Sequence, residues 1–211
     1  MDGGSVSLQV DKTDFGEVAH LTIDHLRRRN AIGPAVIASL AEQAAALAPR
    51  EDVRLVTLRG AGGIFASGAN VKVMRELDAE GGRAFITSLH DAIDAVRRLP
   101  VPVICVLQGH CYGAAMELAA ACDMRIADTS LISGMPEVRV GIPSVIQANL
   151  LPRLIGWGKT SELLLTGRDV IGAENREIGF VEKLVPPEEL DAALGLASVL
   201  NLEPASDGPL E

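Results

Sequence analysis

The hydrophobic positions in the first third of the chain predict two strands and a helix. Two short apolar segments, Val6 to Val10 and Val18 to Ile23, have the length and residue types of strands. The Asp and Gly residues of Asp11 to Gly16 favour a turn between them, so a hairpin is expected. Pro34 then opens an apolar pattern with helical spacing, and that helix should end near Pro49.

The middle of the chain alternates between strands and helices. Val53 to Leu58 predicts a strand that ends in a glycine-rich loop, and Gly82 to Leu99 predicts a long amphipathic helix. Val101 to Leu107 is almost uniformly apolar, which indicates a strand covered on both faces. After Gly109 and Gly113, Ala114 to Ala121 has high helix propensity and contains a single charge.

The remaining elements are shorter. The pattern predicts strands at Met124 to Ala127, Leu131 to Ser133 and Val181 to Leu184, and helices at Val145 to Leu154, Thr160 to Leu165 and Ala173 to Ile178. This order favours an α/β or mixed fold. The last residues, Asn201 to Glu211, are rich in Pro, Gly, Ser and acidic residues and predict a frayed tail.

Composition narrows the functional classes. The 211 residues carry a net charge of -9, which argues against binding of nucleic acid through its phosphates. Met1 to Lys12 lacks the apolar run of a signal peptide, and no apolar stretch is long enough for a membrane helix. A cytoplasmic protein is expected. Three cysteines at spacings that fit neither zinc nor redox motifs indicate reduced thiols, and no metal site is expected.

Two glutamates are candidates for acid–base chemistry. Glu117 is the one charge in a helix of small residues, where an ionised carboxylate is costly to bury. Glu137 follows in a turn twenty residues later, and two carboxyl groups in one pocket can divide the roles of acid and base. The alternative for Glu117 is a structural ion pair with Arg125 or Arg139, and Glu137 alone fits an ordinary turn residue.

Main-chain amides are the second candidate component of a site. The helix that carries Glu117 starts near Ala114, and its first amides have no acceptor within the helix. The glycine-rich loop ending in Gly68-Ala69-Asn70 offers a further amide. Two such donors directed at one oxygen would stabilise an enolate. Close packing of small residues is the alternative for both positions.

These segments together resemble the enoyl-CoA hydratase/isomerase, or crotonase, superfamily. The resemblance runs from about Val6 to Leu190 and includes Asn30-Ala31-Ile32, Phe65-Ala66-Ser67-Gly68-Ala69-Asn70-Val71-Lys72, Gly113-Ala114-Ala115-Met116-Glu117-Leu118-Ala119, Cys122-Asp123, Pro136-Glu137-Val138 and Leu165-Thr166-Gly167. It implies a crotonase-like (ClpP/crotonase) α/β spiral of strand-strand-helix units that assembles as a homotrimer or a dimer of trimers. A core domain at residues 1–190 and a short C-terminal helix and tail at residues 191–211 are expected.

The resemblance also implies roles for individual residues. The oxyanion hole would be formed by the amides of Ala69 and Ala114, and the catalytic pair would be Glu117 and Glu137. Ala69, Asn70, Val71, Lys72 and Ala114 would bind an acyl-CoA thioester. The implied reaction is hydration of a 2-enoyl-CoA in fatty acid metabolism, or its reverse, with coenzyme A as part of the substrate and no separate cofactor.

Several alternatives stay open at this point. The same pocket suits double-bond isomerisation, decarboxylation or thioester hydrolysis, and a non-catalytic acyl-CoA-binding protein is a further class. Gly113-Ala114-Ala115 replaces a run of glycines in close hydratases, and Gly141 to Gln147 replaces a glycine-rich loop, so the acyl pocket is expected to differ. Relative to the family, the C-terminal helical region is short. The run Arg27 to Arg29 suits either coenzyme A phosphates or a solvated face.

Overall fold

The computed structural model describes residues 3–14 and 16–195, and in them strands and helices alternate. The strands are β1 (Ser5–Thr13), β2 (Gly16–Asp24), β3 (Val53–Gly60), β4 (Val103–Leu107), β5 (His110–Tyr112), β6 (Met124–Asp128), β7 (Ile132–Gly134), β8 (Asp169–Ile171) and β9 (Lys183–Val185). The α-helices are α1 (Pro34–Leu47), α2 (Val71–Met74), α3 (Ala79–Arg97), α4 (Ala114–Ala121), α5 (Leu151–Thr166), α6 (Glu174–Glu177) and α7 (Leu190–Gly195). Short 3-10 helices lie at Leu26–Arg28, Ala61–Gly63, Pro136–Val140, Ala148–Leu150 and Pro187–Glu189.

Two sheets organise the described chain. The larger has six strands in the order β1-β2-β3-β4-β6-β9, in which β1 and β2 form the predicted antiparallel hairpin and the other neighbours run parallel. The smaller consists of β5, β7 and β8. Because β3 and β4 are parallel neighbours, the loops that leave their carboxyl ends emerge at the same edge of the large sheet. The α/β fold is therefore confirmed.

The hydrophobic core lies between the large sheet and the helices α1, α3 and α4. All five residues of β4 are buried, as its uniformly apolar sequence predicted. On the opposite face of the sheet, a smaller cluster joins Val18, Leu55 and Ile104 to Leu190 of α7. The sheet edge that carries the glycine loops is thus supported by packed elements on both faces.

The predicted helix at Val145 to Leu154 is wrong over its first part. The chain after Gly141 follows a loop, then the 3-10 helix at Ala148–Leu150, and α5 begins at Leu151 with Pro152 in its first turn. Residues 151–154 of the first predicted helix and all of the helix predicted at Thr160 to Leu165 belong to one helix, α5. Gly156, at φ 74°, interrupts its helical geometry.

Other differences concern short elements. The sequence pattern missed β5, β8 and α2, because three or four residues are too few to display a period. The strand predicted at Val181 to Leu184 is displaced to β9. The long helix begins earlier than predicted because the Asp78 side chain accepts a hydrogen bond from the amide of Gly81 at 2.8 Å and caps α3.

The predicted tail, Asn201 to Glu211, lies outside the described residues. Within residues 3–14 and 16–195, none of the helices has the length and apolarity needed to cross a membrane.

Candidate active site

The start of α4 is the structural centre of the candidate site. The chain leaves β4, forms β5 and then turns at Gly113, whose φ of 52° and ψ of -120° suit glycine. Helix α4 begins at the next residue, and all eight of its residues are buried. Glu117 follows one turn later and is 1% exposed. The charged residue singled out from the sequence is therefore enclosed in the protein interior.

Two main-chain amides lie near this turn. Ala114 is the first residue of α4, and Ala69 follows Gly68 in the loop after β3. A Cβ atom at Gly68 would be 2.7 Å from the carbonyl oxygen of Tyr112 and 3.9 Å from the nitrogen of Ala114, so the two loops are in close contact. Within the described residues, neither amide donates a hydrogen bond to a protein acceptor. Both remain available to a ligand oxygen.

The carboxylate of Glu117 has one hydrogen-bonded oxygen and one without a partner. Oε1 accepts a hydrogen bond from the amide nitrogen of Gln147 at 3.1 Å. Oε2 is buried and has no partner among the described residues. Arg125, proposed above as an ion-pair partner, instead pairs with Glu182 and donates to the carbonyl oxygen of Phe180 at 2.7 Å. Among the described residues, neither Arg125 nor Arg139 forms an ion pair with Glu117, so such a pair does not account for its burial.

The carboxylate of Glu137 approaches the same turn from the opposite side. A Cβ atom at Gly113 would lie 2.1 Å from Oε1 of Glu137, so only glycine leaves room for this carboxylate. Oε2 of Glu137 is buried without a partner in the described chain. The 3-10 helix at Pro136–Val140 positions this side chain directly after β7.

Both glutamates line one cavity of about 270 Å³. Its wall also includes Gly68 and Ala69 from the first loop and Gly113 and Ala114 from the second. Most of the other lining side chains are apolar; they include Val71, Met74, Ile86, Pro136, Val140, Ile142, Pro143, Val145 and Ile146. Ser67, Tyr112, Arg139 and Ser144 add polar groups. The cavity thus combines an apolar wall with two acids and two free amides.

Burial changes the acidity of both groups. It raises the pKa of Glu117 to about 7; the Gln147 amide opposes this rise, and the charge of Glu137 adds to it. Burial also raises the pKa of Glu137, against hydrogen bonds from its own amide and from the Ser144 hydroxyl. Because each carboxylate disfavours the ionisation of the other, protonation belongs to the pair. With a pKa of about 7, the carboxyl group of Glu117 can give and take a proton near neutral pH.

Comparison with known proteins identifies the family. The family described as enoyl-CoA hydratase/isomerase matches residues 14–205. The chain belongs to the enoyl-CoA hydratase/isomerase family.

Individual members of this family align over most of the chain. The mouse protein "Enoyl-CoA hydratase domain-containing protein 2, mitochondrial" is 34% identical over 197 residues, covering 92% of this chain and 66% of the relative. The short-chain-enoyl-CoA hydratase of Clostridium acetobutylicum is 32% identical over 177 residues, covering 83% of this chain and 68% of the relative. The chain thus spans about two thirds of the length of these curated relatives.

Solved structures of family members share the fold. The enoyl-CoA hydratase of Bacillus anthracis superposes with a TM-score of 0.85 at 31% identity, covering 91% of this chain and 75% of that one. The enoyl-CoA hydratase of Mycobacterium smegmatis gives a TM-score of 0.86 at 30% identity, covering 92% and 76%. The crotonase-like architecture expected from the sequence is confirmed.

The family resemblance named seven site positions, and five of them surround the cavity. These are Ala69, Val71, Ala114, Glu117 and Glu137. The other two, Asn70 and Lys72, are not among the residues that line it. Asn70 caps α2, where its side chain accepts hydrogen bonds from the amides of Lys72 at 3.2 Å and Val73 at 3.4 Å. The Lys72 side chain is exposed.

Sequence reasoning missed three groups that act on the glutamates. These are the main-chain amide of Gln147, the hydroxyl of Ser144 and the open space at Gly113. The altered sequence of the loop at Gly141 to Gln147 indicated that this region differs from close hydratases. It did not indicate the amide contact, because a main-chain amide is the same for almost every residue type. The contacts with both glutamates depend on how that loop folds back over α4.

Cys111, next to the site in sequence, is not a nucleophile candidate. It is fully buried, and burial raises the pKa of its thiol well above the ordinary value. A thiol in such surroundings forms little thiolate at neutral pH. Cys105 and Cys122 are also buried and are free thiols. The structure therefore agrees with the interpretation of the cysteines as reduced thiols.

The first testable consequence concerns stability and pH. Burial raises the pKa of Glu117 in the folded protein to about 7, above the 4.5 of an ordinary glutamate. Protonation of Glu117 stabilises the folded state. This stabilisation is fully present below the pKa of the group in the unfolded chain, and it is lost as the pH rises through about 7. We expect Glu117→Gln to stabilise the fold by on the order of 3 kcal/mol at pH 8 and by much less at pH 4.5. Urea unfolding at both pH values measures this.

A matched control for that experiment is Glu188→Gln, which changes an exposed glutamate. It should leave unfolding free energy within about 0.5 kcal/mol at both pH values. An equal effect of Glu117→Gln at pH 4.5 and pH 8 would contradict the buried, raised-pKa carboxyl group.

The second prediction tests the space at Gly113. In Gly113→Ala the new methyl group would meet Oε1 of Glu137, so the carboxylate must move away. We expect the pKa of Glu137 to fall towards its ordinary value as the carboxylate gains water. A ¹³C NMR titration of labelled glutamate measures this.

Gly63→Ala is the control, because Gly63 also has a positive φ, of 70°, but has no neighbouring atom within 4 Å. An unchanged Glu137 titration in Gly113→Ala would show that the carboxylate does not contact this turn.

Proposed function

We propose that this chain catalyses the reversible hydration of a 2-enoyl-CoA thioester. The observation that carries the proposal is the position of Glu117, Glu137 and the amides of Ala69 and Ala114 around one cavity. The family assignment supports a thioester of coenzyme A as the substrate. In this proposal the two amides donate to the thioester oxygen, and the enoyl group lies between the two glutamates.

The proposed reaction uses water, the two glutamate side chains and the two main-chain amides. The oxygen of water forms a bond to the β-carbon while Glu117 takes a proton from that water. The π electrons of the double bond move towards the thioester oxygen and give an enolate-like species. The two amides stabilise its charge, and donors of this kind contribute about 2.7 to 4 kcal/mol each in other enzymes. Glu137 then gives its proton to the α-carbon.

Proton balance explains why both acids are needed. Hydration starts with Glu117 ionised and Glu137 protonated, and it ends with the opposite arrangement. Dehydration starts from that second arrangement, so one proton held by the pair serves both directions. The pKa of both carboxyl groups is raised, that of Glu117 to about 7, which supports this sharing of a proton. Exchange with solvent resets the pair.

The walls of the cavity indicate the class of acyl group. Val71, Met74 and Ile86 lie on one part of the wall, and Ile142 to Ile146 form another. Apolar walls bind hydrocarbon through burial, at about 25 cal/mol per Å². We therefore propose an acyl chain that is mainly hydrocarbon, which is consistent with a role in fatty acid metabolism.

Hydration is favoured over isomerisation because both carboxylates reach the cavity. One carboxylate is enough to move a proton between two carbons of an enoyl chain. A second acid at Glu137, in a space that only Gly113 leaves open, supports hydration, in which one group takes a proton from water and another gives a proton to the α-carbon. The division into residues 1–190 and 191–211, the absence of a separate cofactor and the cytoplasmic location stay predictions. The trimeric or hexameric assembly is also part of the proposal.

The third prediction tests the two acids. Glu117→Gln and Glu137→Gln should each reduce hydration of crotonyl-CoA by about 10²- to 10⁴-fold, because each removes one proton transfer. Loss of enoyl-thioester absorbance measures the rate, and calorimetric titration with the saturated butyryl-CoA measures affinity, which should change little. Wild-type rates in either variant would remove that residue from the mechanism.

Glu188→Gln is again the matched control and should retain the wild-type rate. A mass-spectrometric screen of acyl-CoA thioesters reports gain of water, loss of carbon dioxide and thioester cleavage together. Binding of acyl-CoA with no mass change for any thioester would contradict hydration and would leave double-bond isomerisation, which conserves mass, and a non-catalytic binding protein as the alternatives.

A further inference from the structure

The loop that covers Glu117 is held by a side chain outside the cavity. Gln147 ends this loop; its amide nitrogen donates to Oε1 of Glu117 at 3.1 Å, and its residue surface is 5% exposed. Among the described residues, this amide is the nearest hydrogen-bond donor to the Glu117 carboxylate. The direction of this bond depends on where the peptide between Ile146 and Gln147 is held.

His90 of α3 contacts this peptide through its carbonyl oxygen and also contacts the side chain of Gln147. Its Nδ1 atom lies 3.2 Å from the carbonyl oxygen of Ile146 and 3.3 Å from Nε2 of Gln147. The Ile146 carbonyl and the Gln147 amide nitrogen belong to the same planar peptide group, which moves as a rigid unit. A restraint on the carbonyl therefore restrains the N–H group that meets Glu117.

We propose that His90 is a positioning residue for Glu117, because its imidazole fixes the Ile146–Gln147 peptide whose N–H group donates to the Glu117 carboxylate. His90 is exposed and does not line the cavity, so it acts through the loop and touches no reacting atom. The positioning role in catalysis rests on the proposed function, whereas the contact itself does not.

Either neutral tautomer of His90 supports this role. With a proton on Nδ1, the ring donates to the Ile146 carbonyl oxygen. Without it, the ring accepts from Nε2 of Gln147. In both cases one hydrogen bond joins α3 to the loop, through the Ile146 carbonyl in the first tautomer and through the Gln147 side chain in the second. An asparagine at position 90 carries a polar atom at the same distance along its side chain and is the conservative replacement.

Charged side chains lie near both Glu117 and His90. Glu117 is influenced by Glu137 across the cavity. His90 is close to Asp94, one turn further along α3, and Asp94 pairs with Arg97 and Arg98. Removing His90 could therefore act through charge as well as through the loop. His90→Asn separates the two, because it removes the ionisable ring and retains the hydrogen bond.

The experiment is a ¹³C NMR titration of labelled glutamate in the whole protein, with the Glu117 signal assigned by Glu117→Gln. In His90→Ala the Gln147 amide is less well placed, and a carboxylate that loses a donor ionises less readily. We expect the pKa of Glu117 to rise by about 0.5 to 1 unit, a 3- to 10-fold fall in its acid dissociation constant. Gln147→Ala should give a rise in the same direction.

His90→Asn should restore the wild-type titration, and Thr87→Ala, at an exposed residue of the same helix, should leave it unchanged. An unshifted Glu117 in His90→Ala, or an equal shift in His90→Asn, would overturn the positioning role. Because this readout needs no turnover, it judges His90 even if the protein hydrates no thioester.

The kinetic counterpart is the pH profile of kcat/KM for crotonyl-CoA. In His90→Ala the acidic limb of the profile should move to higher pH by about 0.5 to 1 unit. In His90→Asn it should return to its wild-type position. A purely structural role for His90 would lower the whole profile and leave the position of the limb unchanged, which would contradict the proposal.

Discussion

The desolvation of two neighbouring carboxyl groups is the constraint on which the centre of this molecule depends. Glu117 is 1% exposed in a helix that is otherwise apolar, and one oxygen of each glutamate has no partner in the described chain. Removing water from an ionised carboxylate is costly. The protonated form is therefore favoured, and the pKa of each group rises. A protein that needed only stability would not place both groups there, and this cost is the physical argument for a function at the cavity.

The backbone makes this arrangement possible. Parallel pairing of β3 and β4 brings the two glycine loops to one edge of the large sheet, and positive φ angles at Gly68 and Gly113 let them approach closely. Gly113 serves two purposes, because its conformation starts α4 and its missing side chain admits Glu137. The amides of Ala69 and Ala114 remain free at the same place. A set of donors and acids thus follows from main-chain geometry at two turns.

The loop at Gly141 to Gln147 contributes to the cavity wall and contacts both glutamates. Its apolar residues form part of the cavity wall, its serine contacts Glu137, and its final amide contacts Glu117. The same loop reaches α3 through His90. A single irregular segment therefore links the acyl wall, both acids and the supporting helix, and changes in it affect binding and proton transfer together.

The sequence by itself determined the elements that have a clear period and the residues whose chemistry conflicts with their surroundings. The β1–β2 hairpin, α1 and α3 were predictable from their apolar pattern and flanking turn residues, β4 from its uniformly apolar sequence, and α4 from its helix propensity. Glu117 was predictable as a site residue because a lone charge among alanines is costly.

Only the tertiary structure decided the rest. Strands β5 and β8 are too short to show a period, and the loop before α5 was mistaken for a helix because its apolar residues face a cavity instead of a continuous helix face. The placement of Glu137 beside Gly113, the cap formed by Asn70, and the contacts of Gln147 with Glu117 and His90 arise between segments distant in sequence. Residue identity encodes a local preference, whereas these contacts depend on where the packed sheet brings separate loops together.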